Sequence, residues 1–239
     1  MRALSLKGVR GGVGNSSLLA GVGYALHRLG ERVLLVDMCP ENVLGLHFNL
    51  AVEERCGWAR AMLDGQNWQG HAWELDSGLC LLPYGCLNSD EQEQMAHRLR
   101  QSPELWPRRQ QSLGGYFDWI LFDLPQRLPE HAEIGAGALQ IQVLEADVAC
   151  QVLLQRHDAN NILLVNRFDP GSQLQSDLLL LWRKRYGTRL LPLTVHYDEA
   201  MREALAHKQP VGSYAENSLV ARELISLATW CLAQSRGNL

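Results

Sequence analysis

A glycine-rich segment at residues 9–17 constrains the fold of this chain more than any other feature. It reads Val-Arg-Gly-Gly-Val-Gly-Asn-Ser-Ser, follows an apolar run at residues 3–6, and opens a stretch with helical spacing at residues 16–29. Glycines let backbone N–H groups turn inward around phosphate oxygens, and the helix start adds a positive dipole. A turn without a ligand is the alternative, but the order strand, loop, helix favours a phosphate-binding loop.

The rest of the chain alternates between short apolar runs and segments with helical spacing. This alternation predicts an α/β fold: a single-domain P-loop NTPase fold over residues 1–239, with a mainly parallel sheet of about seven strands and helices on both faces. The predicted strands cover residues 3–6, 33–37, 79–83, 119–123, 139–144, 162–165 and 190–195. The predicted helices cover residues 16–29, 90–99, 172–185, 198–206 and 218–234. Residues 102–115, with two prolines, are predicted to form a loop or lid.

Composition limits the possible functions. The formal net charge of -4 gives no electrostatic reason to expect nucleic-acid binding, which needs clustered Lys and Arg. Neither a signal-peptide pattern nor an apolar segment of membrane-spanning length is found in the sequence. The six cysteines contain no C-x-x-C pair, so we expect reduced, mostly structural thiols in a cytoplasmic protein.

Two predicted strands end in aspartate, at Asp37 and Asp123. A carboxylate at the end of a parallel strand lies beside the phosphate crevice of an open α/β sheet. Ser16, at the start of the predicted helix, stands where a hydroxyl would bind Mg²⁺. Ser16 and Asp123 predict a magnesium site, and Asp37 lies beside the same crevice, with a plain strand-end turn as its alternative role.

The glycine-rich segment resembles the deviant Walker A motif of the MinD/ParA family, whose pattern is K-G-G-x-G-K-[ST]. Arg10 stands at the signature lysine, which reaches a dimer partner's phosphates, and an arginine keeps that charge. Asn15 replaces the P-loop lysine, which weakens binding by roughly 1.5–3 kcal/mol. The resemblance implies a homodimer formed across ATP and Mg²⁺. The implied phosphate-binding residues are Arg10, Gly11, Gly12, Val13, Gly14, Asn15, Ser16 and Ser17.

The second acidic motif of the family, D-x-D-P, is only half present. Asp37 matches its first aspartate, which the resemblance implies supports the metal through water, whereas Cys39 replaces the second, which orients the attacking water. A thiol positions and deprotonates water poorly. We therefore expect weak or absent ATP hydrolysis and assign no catalytic residue.

Two later segments resemble the part of the family that binds the base. Residues 162–167 resemble a strand ending in Asn-Lys or Asn-Arg, whose Asn reads the adenine edge with its amide. Residues 195–204, followed by Gln-Pro-Val at 209–211, resemble a loop and helix that pack on the base. The resemblance implies a base-binding group of Asn166, Arg167, His196 and Asp198. A turn cap is the alternative role for Asn166.

Four segments resemble one branch of the family, the BcsQ cellulose biosynthesis proteins. They are residues 8–14, 36–40, 57–66 and 198–201. Residues 57–66 are the most specific, because phosphate binding does not require them. The resemblance implies a role in assembling the bacterial cellulose secretion system. It also implies BcsR, BcsE-like components and the cellulose synthase complex as partners, with peripheral recruitment to the inner membrane or cell pole.

Other functions stay open. Asn15, Cys39 and the acidic balance argue against an active partitioning ATPase that cycles on DNA. A small-molecule kinase or ligase needs an acceptor site with a base, and an iron–sulfur relative needs bridging cysteines; neither set is identified. The apolar stripe at residues 217–234 favours a core helix over a membrane anchor, since few basic residues accompany it.

Overall fold

A computed structural model describes residues 1–135, 137–156 and 161–236 of the chain. The strands are β1 (Arg2–Gly8), β2 (Val33–Asp37), β3 (Trp73–Asp76), β4 (Leu79–Leu82), β5 (Trp119–Leu124), β6 (Leu139–Glu145), β7 (Ile162–Phe168) and β8 (Leu190–His196). The helices are α1 (Asn15–Arg28), α2 (Trp58–Asp64), α3 (Ser89–Gln101), α4 (Leu105–Leu113), α5 (Val148–Arg156), α6 (Gln173–Tyr186), α7 (Ala200–Ala206), α8 (Val211–Tyr214) and α9 (Leu219–Arg236).

The strands form one sheet in the order β3-β4-β2-β5-β1-β6-β7-β8. Neighbouring strands run parallel except β3, which pairs antiparallel with β4 at the edge. β1 lies in the middle, with β5 on one side and β6 on the other. In the register of β2 and β5, Asp37 lies directly opposite Asp123. The sheet order therefore brings both acidic strand ends to the edge from which the glycine-rich loop leaves β1.

Alternation along the buried strands explains the two helical layers. Val33 and Leu35 of β2 belong to a core cluster that includes residues of α1 and α9. Leu34 and Val36 point the other way, into a cluster with residues of α2, α3 and α4. Successive side chains of a strand alternate between the faces, so a strand covered by helices on both faces is apolar throughout. The predicted fold class is confirmed, with an eighth strand added.

The prediction of a loop or lid at residues 102–115 is wrong. Residues Leu105–Leu113 form α4, with Trp106 and Leu113 buried in the core. Pro107 falls in the first turn of α4, where proline does not break a helix because its missing N–H is not needed there. Helices α2, α5 and α8 and the edge strand β3 were also not predicted.

The final helix, α9, packs against α1 and β8. Its buried positions include Val220, Leu224, Leu227 and Cys231. The prediction of a core-facing helix is confirmed. Within the described ranges, no helix combines the length and apolar character needed to cross a bilayer.

Candidate nucleotide and metal site

The glycine-rich loop joins β1 to α1 and contains two residues with left-handed backbone. Gly12 has φ 80° and Gly14 has φ 85°, a region that favours glycine. A Cβ added at Gly14 would lie 2.7 Å from Nδ2 of Asn166. Conformation and close approach both require glycine at position 14.

Two side chains from the end of β7 hold the loop from outside. Asn166 Nδ2 donates to the carbonyl oxygen of Val13 at 2.7 Å, and Arg167 Nη1 donates to that of Gly12 at 2.8 Å. The N–H of a trans peptide points opposite to its carbonyl. Because these carbonyls turn toward β7, the N–H groups of Val13 and Gly14 turn away from it, as a phosphate-binding loop requires.

The acidic strand ends and Cys39 form a compact cluster beside the loop. Candidate ligand atoms of Asp37, Cys39 and Asp123 all lie within 4.8 Å of one another. Asp37 accepts backbone N–H bonds from Cys39 at 2.9 Å and Leu44 at 3.0 Å, which fix its carboxylate. Both aspartates are fully buried. The structure thus brings Asp37 and Asp123 together, and their role as metal ligands stays a prediction.

Burial controls the charge of this cluster. Burial and the charge of Asp123 raise the pKa of Asp37 well above its usual range. Burial also raises the pKa of Asp123 to about 6, although hydrogen bonds from Ser16 and Asn15 act in the opposite direction. Burial and both carboxylates raise the pKa of the Cys39 thiol far above its usual value. The thiol therefore stays protonated at neutral pH.

The cluster fits a magnesium ion. Asp123 Oδ2 is buried without a hydrogen-bond partner among the described residues, and a cation would satisfy that oxygen. Carboxylate and hydroxyl oxygens suit Mg²⁺, whereas a protonated thiol does not. The residues that would hold the ion are Asp37, Asp123 and Ser16, as the sequence predicts. A cavity of about 330 Å³ adjoins them, lined by the loop, Cys39, Glu41 and residues 123–128.

Arg10 takes part in an ion-pair network within its own chain. Its Nη2 lies 2.6 Å from both Glu145 Oε2 and Asp147 Oδ2, and Nη1 donates to the carbonyl of Gly11. Glu145 also pairs with Arg167 at 2.7 Å. Glu145 and Asp147 are not among the site residues that the sequence predicts. Glu145 is the last residue of β6, which lies beside β1. An acidic residue at the end of a third predicted strand is the signal that could identify it.

The predicted base-binding residues surround a small second cavity of about 80 Å³. Asn166 and Arg167 line it from β7, while His196 and Asp198 line it from the end of β8. His196 is hydrogen-bonded to Glu223, and Asp198 accepts backbone bonds from Ala200 and Val220. The structure thus brings all four residues together. Their role in base binding stays a prediction.

The sheet order, the glycine-rich loop and the acidic strand ends define a P-loop protein with the MinD/ParA fold. MinD of Pyrococcus horikoshii, solved with Mg-ADP, is 20% identical, with a TM-score of 0.72 and coverage of 95% of this chain and 94% of that one. Cobyrinic acid a,c-diamide synthase of Mycobacterium smegmatis, with an ATP analogue and magnesium, is 21% identical, with a TM-score of 0.75 and coverage of 100% and 97%.

Sequence relatives narrow this class to one family. The family model of the cellulose biosynthesis protein BcsQ matches residues 1–232. The cellulose biosynthesis protein BcsQ of Escherichia coli K12 is 42% identical over 99% of this chain and 96% of its own length. The chain belongs to the BcsQ family of cellulose biosynthesis proteins.

Proposed function

We propose that this chain is an ATP-binding, dimerising assembly or localisation factor of the bacterial cellulose synthase secretion system, with weak or absent hydrolysis. The observation that carries the proposal is the glycine-rich loop, held by Asn166 and Arg167 beside the buried Asp37–Asp123 pair. This arrangement joins turned backbone N–H groups, which bind phosphate, to carboxylates that bind a cation.

Backbone groups carry most of the proposed phosphate binding. The N–H groups of residues 11–17 and the start of α1 bind phosphate oxygens, which offsets part of the missing lysine charge. Ser16, Asp37 and Asp123 hold Mg²⁺, which neutralises phosphate charge when bound. In this proposal Asn166, Arg167, His196 and Asp198 bind the adenine base, which requires the exposed Arg202 at the border of the 80 Å³ cavity to move aside.

Weak hydrolysis follows from two side chains. Cys39 stands where the family has its water-orienting aspartate, and its buried thiol cannot accept a proton. Asn15 is neutral and donates to Asp123 at 2.6 Å, so it brings no cation to the β- and γ-phosphates. The site binds a nucleotide in this proposal but lacks two parts that accelerate its cleavage.

Dimerisation depends on Arg10 in this proposal. Each Arg10 leaves Glu145 and Asp147 and reaches the phosphates bound by the partner chain. The alternative is that Arg10 acts only within its own chain, where it already pairs with both carboxylates. The guanidinium of Arg10 is therefore paired with carboxylates in the monomer and with phosphates in the dimer.

Recruitment by other proteins completes the proposal. The family implies BcsR, BcsE-like components and the cellulose synthase complex as partners, and they recruit the chain peripherally to the inner membrane or cell pole. Nucleic acid is not a partner in this proposal, since the net charge of -4 does not favour phosphate backbones.

Calorimetry with ATP and MgCl₂ tests nucleotide binding. The native chain should give a saturable heat that depends on Mg²⁺, and Asp123→Asn should lose that dependence. Asp118→Asn is the matched control, because Asp118 is partly exposed and directly precedes β5, at the end of the strand opposite to Asp123. Absence of heat and of any thermal shift at millimolar ATP would refute the proposal. Turnover on the order of 1 s⁻¹, ordinary for a competent enzyme, would favour an active ParA/MinD-type positioning ATPase acting on another cargo.

A further inference from the structure

A buried arginine on α4 is surrounded by aromatic rings. The guanidinium carbon of Arg109 lies 4.7 Å from the ring centre of Trp68, 4.9 Å from Trp106 and 5.6 Å from Trp58. Indole faces attract a cation, but they offer no acceptor for its N–H groups. The three tryptophans therefore stabilise the charge of Arg109 without satisfying its hydrogen bonds.

Arg109 has no anionic partner among the described residues. Its exposed fraction is 8%, and Nη1 is buried without a hydrogen-bond acceptor. Burial lowers the pKa of Arg109 to about 10, so the side chain is still a cation at neutral pH. Buried charges in proteins are normally paired, and a buried guanidinium without an acceptor points to a partner outside the chain.

Arg109 and Trp68 both line a cavity of about 520 Å³. It lies at the junction of α3 and α4, where the first turn of α4 adds the positive end of a helix dipole. Its polar lining is Gln101, Ser102, Glu104, Arg108, Arg109 and Ser112. Its lining residues are all different from those of the phosphate-loop cavity.

We propose that this cavity is a recognition site for a carboxylate group, held by Arg109 against the tryptophan cluster. A carboxylate matches the planar fork of a guanidinium, and the indole of Trp68 suits the apolar atoms attached to it. Glu104 repels a doubly charged anion more than a singly charged one, which favours carboxylate over phosphate. The carboxylate belongs either to a small organic acid or to an acidic side chain of a partner polypeptide.

Tryptophan fluorescence tests this proposal, because three tryptophan rings surround the Arg109 guanidinium that binds the carboxylate. The probes are sodium propionate, the peptide acetyl-Ala-Glu-Leu-Ala-amide and the same peptide with Gln for Glu, all at constant ionic strength in chloride. Native protein should respond saturably to propionate or to the Glu peptide and not to the Gln peptide. Response to propionate alone identifies a small acid as the source, and tighter binding of the Glu peptide identifies a polypeptide.

Two variants separate binding from packing. Arg109→Met keeps the side-chain length without the charge and should weaken binding about tenfold or more, as the loss of a charge-assisted hydrogen bond does. Glu104→Gln leaves the tryptophan cluster unchanged and should tighten binding. If Arg109→Met does not fold, the proposal is still tested by the affinity of Glu104→Gln and by the response of the native protein to the Gln peptide. No saturable response of the native protein, equal response to both peptides, or weaker binding by Glu104→Gln would overturn the proposal.

Discussion

The side-chain amide of Asn15 donates a hydrogen bond of 2.6 Å to Oδ1 of Asp123. The same amide donates to the backbone carbonyl of Leu6 at 3.0 Å, so it joins the phosphate loop, β1 and β5. A neutral group thus stands at the position of the second lysine in the deviant Walker A pattern that the loop resembles. The side chain of Asn15 therefore does not neutralise negative charge on Asp37 and Asp123. The first two predictions change the residues around this pair.

Restoring the two missing parts should restore hydrolysis. Cys39→Asp with Asn15→Lys returns a water-orienting carboxylate and a phosphate-binding cation, so ATP turnover should rise about a hundredfold or more. Phosphate release measured with Mg²⁺ checks the prediction. Unchanged turnover in a folded double variant that binds ATP would contradict it.

Cys39→Asp alone should destabilise the protein in the absence of Mg²⁺. It adds a third carboxylate to a cluster whose ligand atoms lie within 4.8 Å, and like charges at that distance repel. We expect a loss of roughly 1–3 kcal/mol in the free energy of unfolding, recovered by MgCl₂ or by adding Asn15→Lys. Urea unfolding with and without Mg²⁺ measures it. If Cys39→Asp were more stable without Mg²⁺ than with it, Asp37 and Asp123 would not be the magnesium ligands.

Freeing or removing Arg10 should change dimerisation in opposite directions. Arg10→Ala should abolish ATP-dependent dimerisation, measured by light scattering, whereas Glu145→Gln with Asp147→Asn releases the guanidinium and should strengthen it. Arg32→Ala is the control, since it removes an exposed arginine that pairs with Asp118 outside the loop. If Arg10→Ala dimerises like the native chain, or the native chain stays monomeric at saturating ATP, the cross-interface role is refuted.

Two loop glycines should differ in tolerance. Gly14→Ala forces left-handed backbone on alanine, at about 1–2 kcal/mol, and places Cβ 2.7 Å from Asn166 Nδ2. It should lower the thermal midpoint and disturb the loop. Gly11→Ala is the matched control, because its nearest added contact is Gln126 at 4.0 Å. Equal midpoints for the two variants would contradict the geometry described here.

A buried histidine should make stability depend on pH. Burial lowers the pKa of His131 to about 4, below the value of about 6.5 in an unfolded chain. Between these values the unfolded state binds the proton and the folded state does not, so this contribution is present above pH 6.5 and is lost as pH falls toward 4. The raised pKa of Asp123 has the opposite effect, because it makes the folded state more stable as pH falls. The native chain must therefore be compared with a variant that lacks the histidine.

The comparison uses His131→Gln, which keeps a hydrogen-bonding side chain for the hydroxyl of Tyr84, now 3.1 Å from Nε2. From pH 7.5 to 5.5 the native chain should lose about 1 kcal/mol more unfolding free energy than the variant. His47, buried with a pKa of about 4, should behave the same way in His47→Gln. Parallel pH profiles for native and variant chains would show that the histidine is not held neutral.

The sequence predicted those parts of the molecule that local pattern determines. Asp37 and Asp123 were placed together because parallel strands end at one edge, and the glycine positions indicated the loop. The pairing of Arg10 with Glu145 was not predictable, since it depends on β6 lying beside β1, which is a property of strand order. Helix α4 was missed because Arg109 is polar in the sequence and buried in the fold, which hides the apolar face of the helix.

The central position of β1 has a consequence for how the protein is made. The strand that carries the glycine-rich loop precedes the other described strands along the chain, yet Arg2 pairs with Trp119 and Leu4 with Leu139. At ribosomal speeds of about 5–20 residues per second, the neighbours of β1 are absent for roughly 6 to 27 seconds. A nascent chain that stops before β6 lacks one side of its central strand. Such fragments would present apolar edges to chaperones and proteases, and the Asp37–Asp123 and Arg10–Glu145 contacts would form only after β5 and β6 have been made.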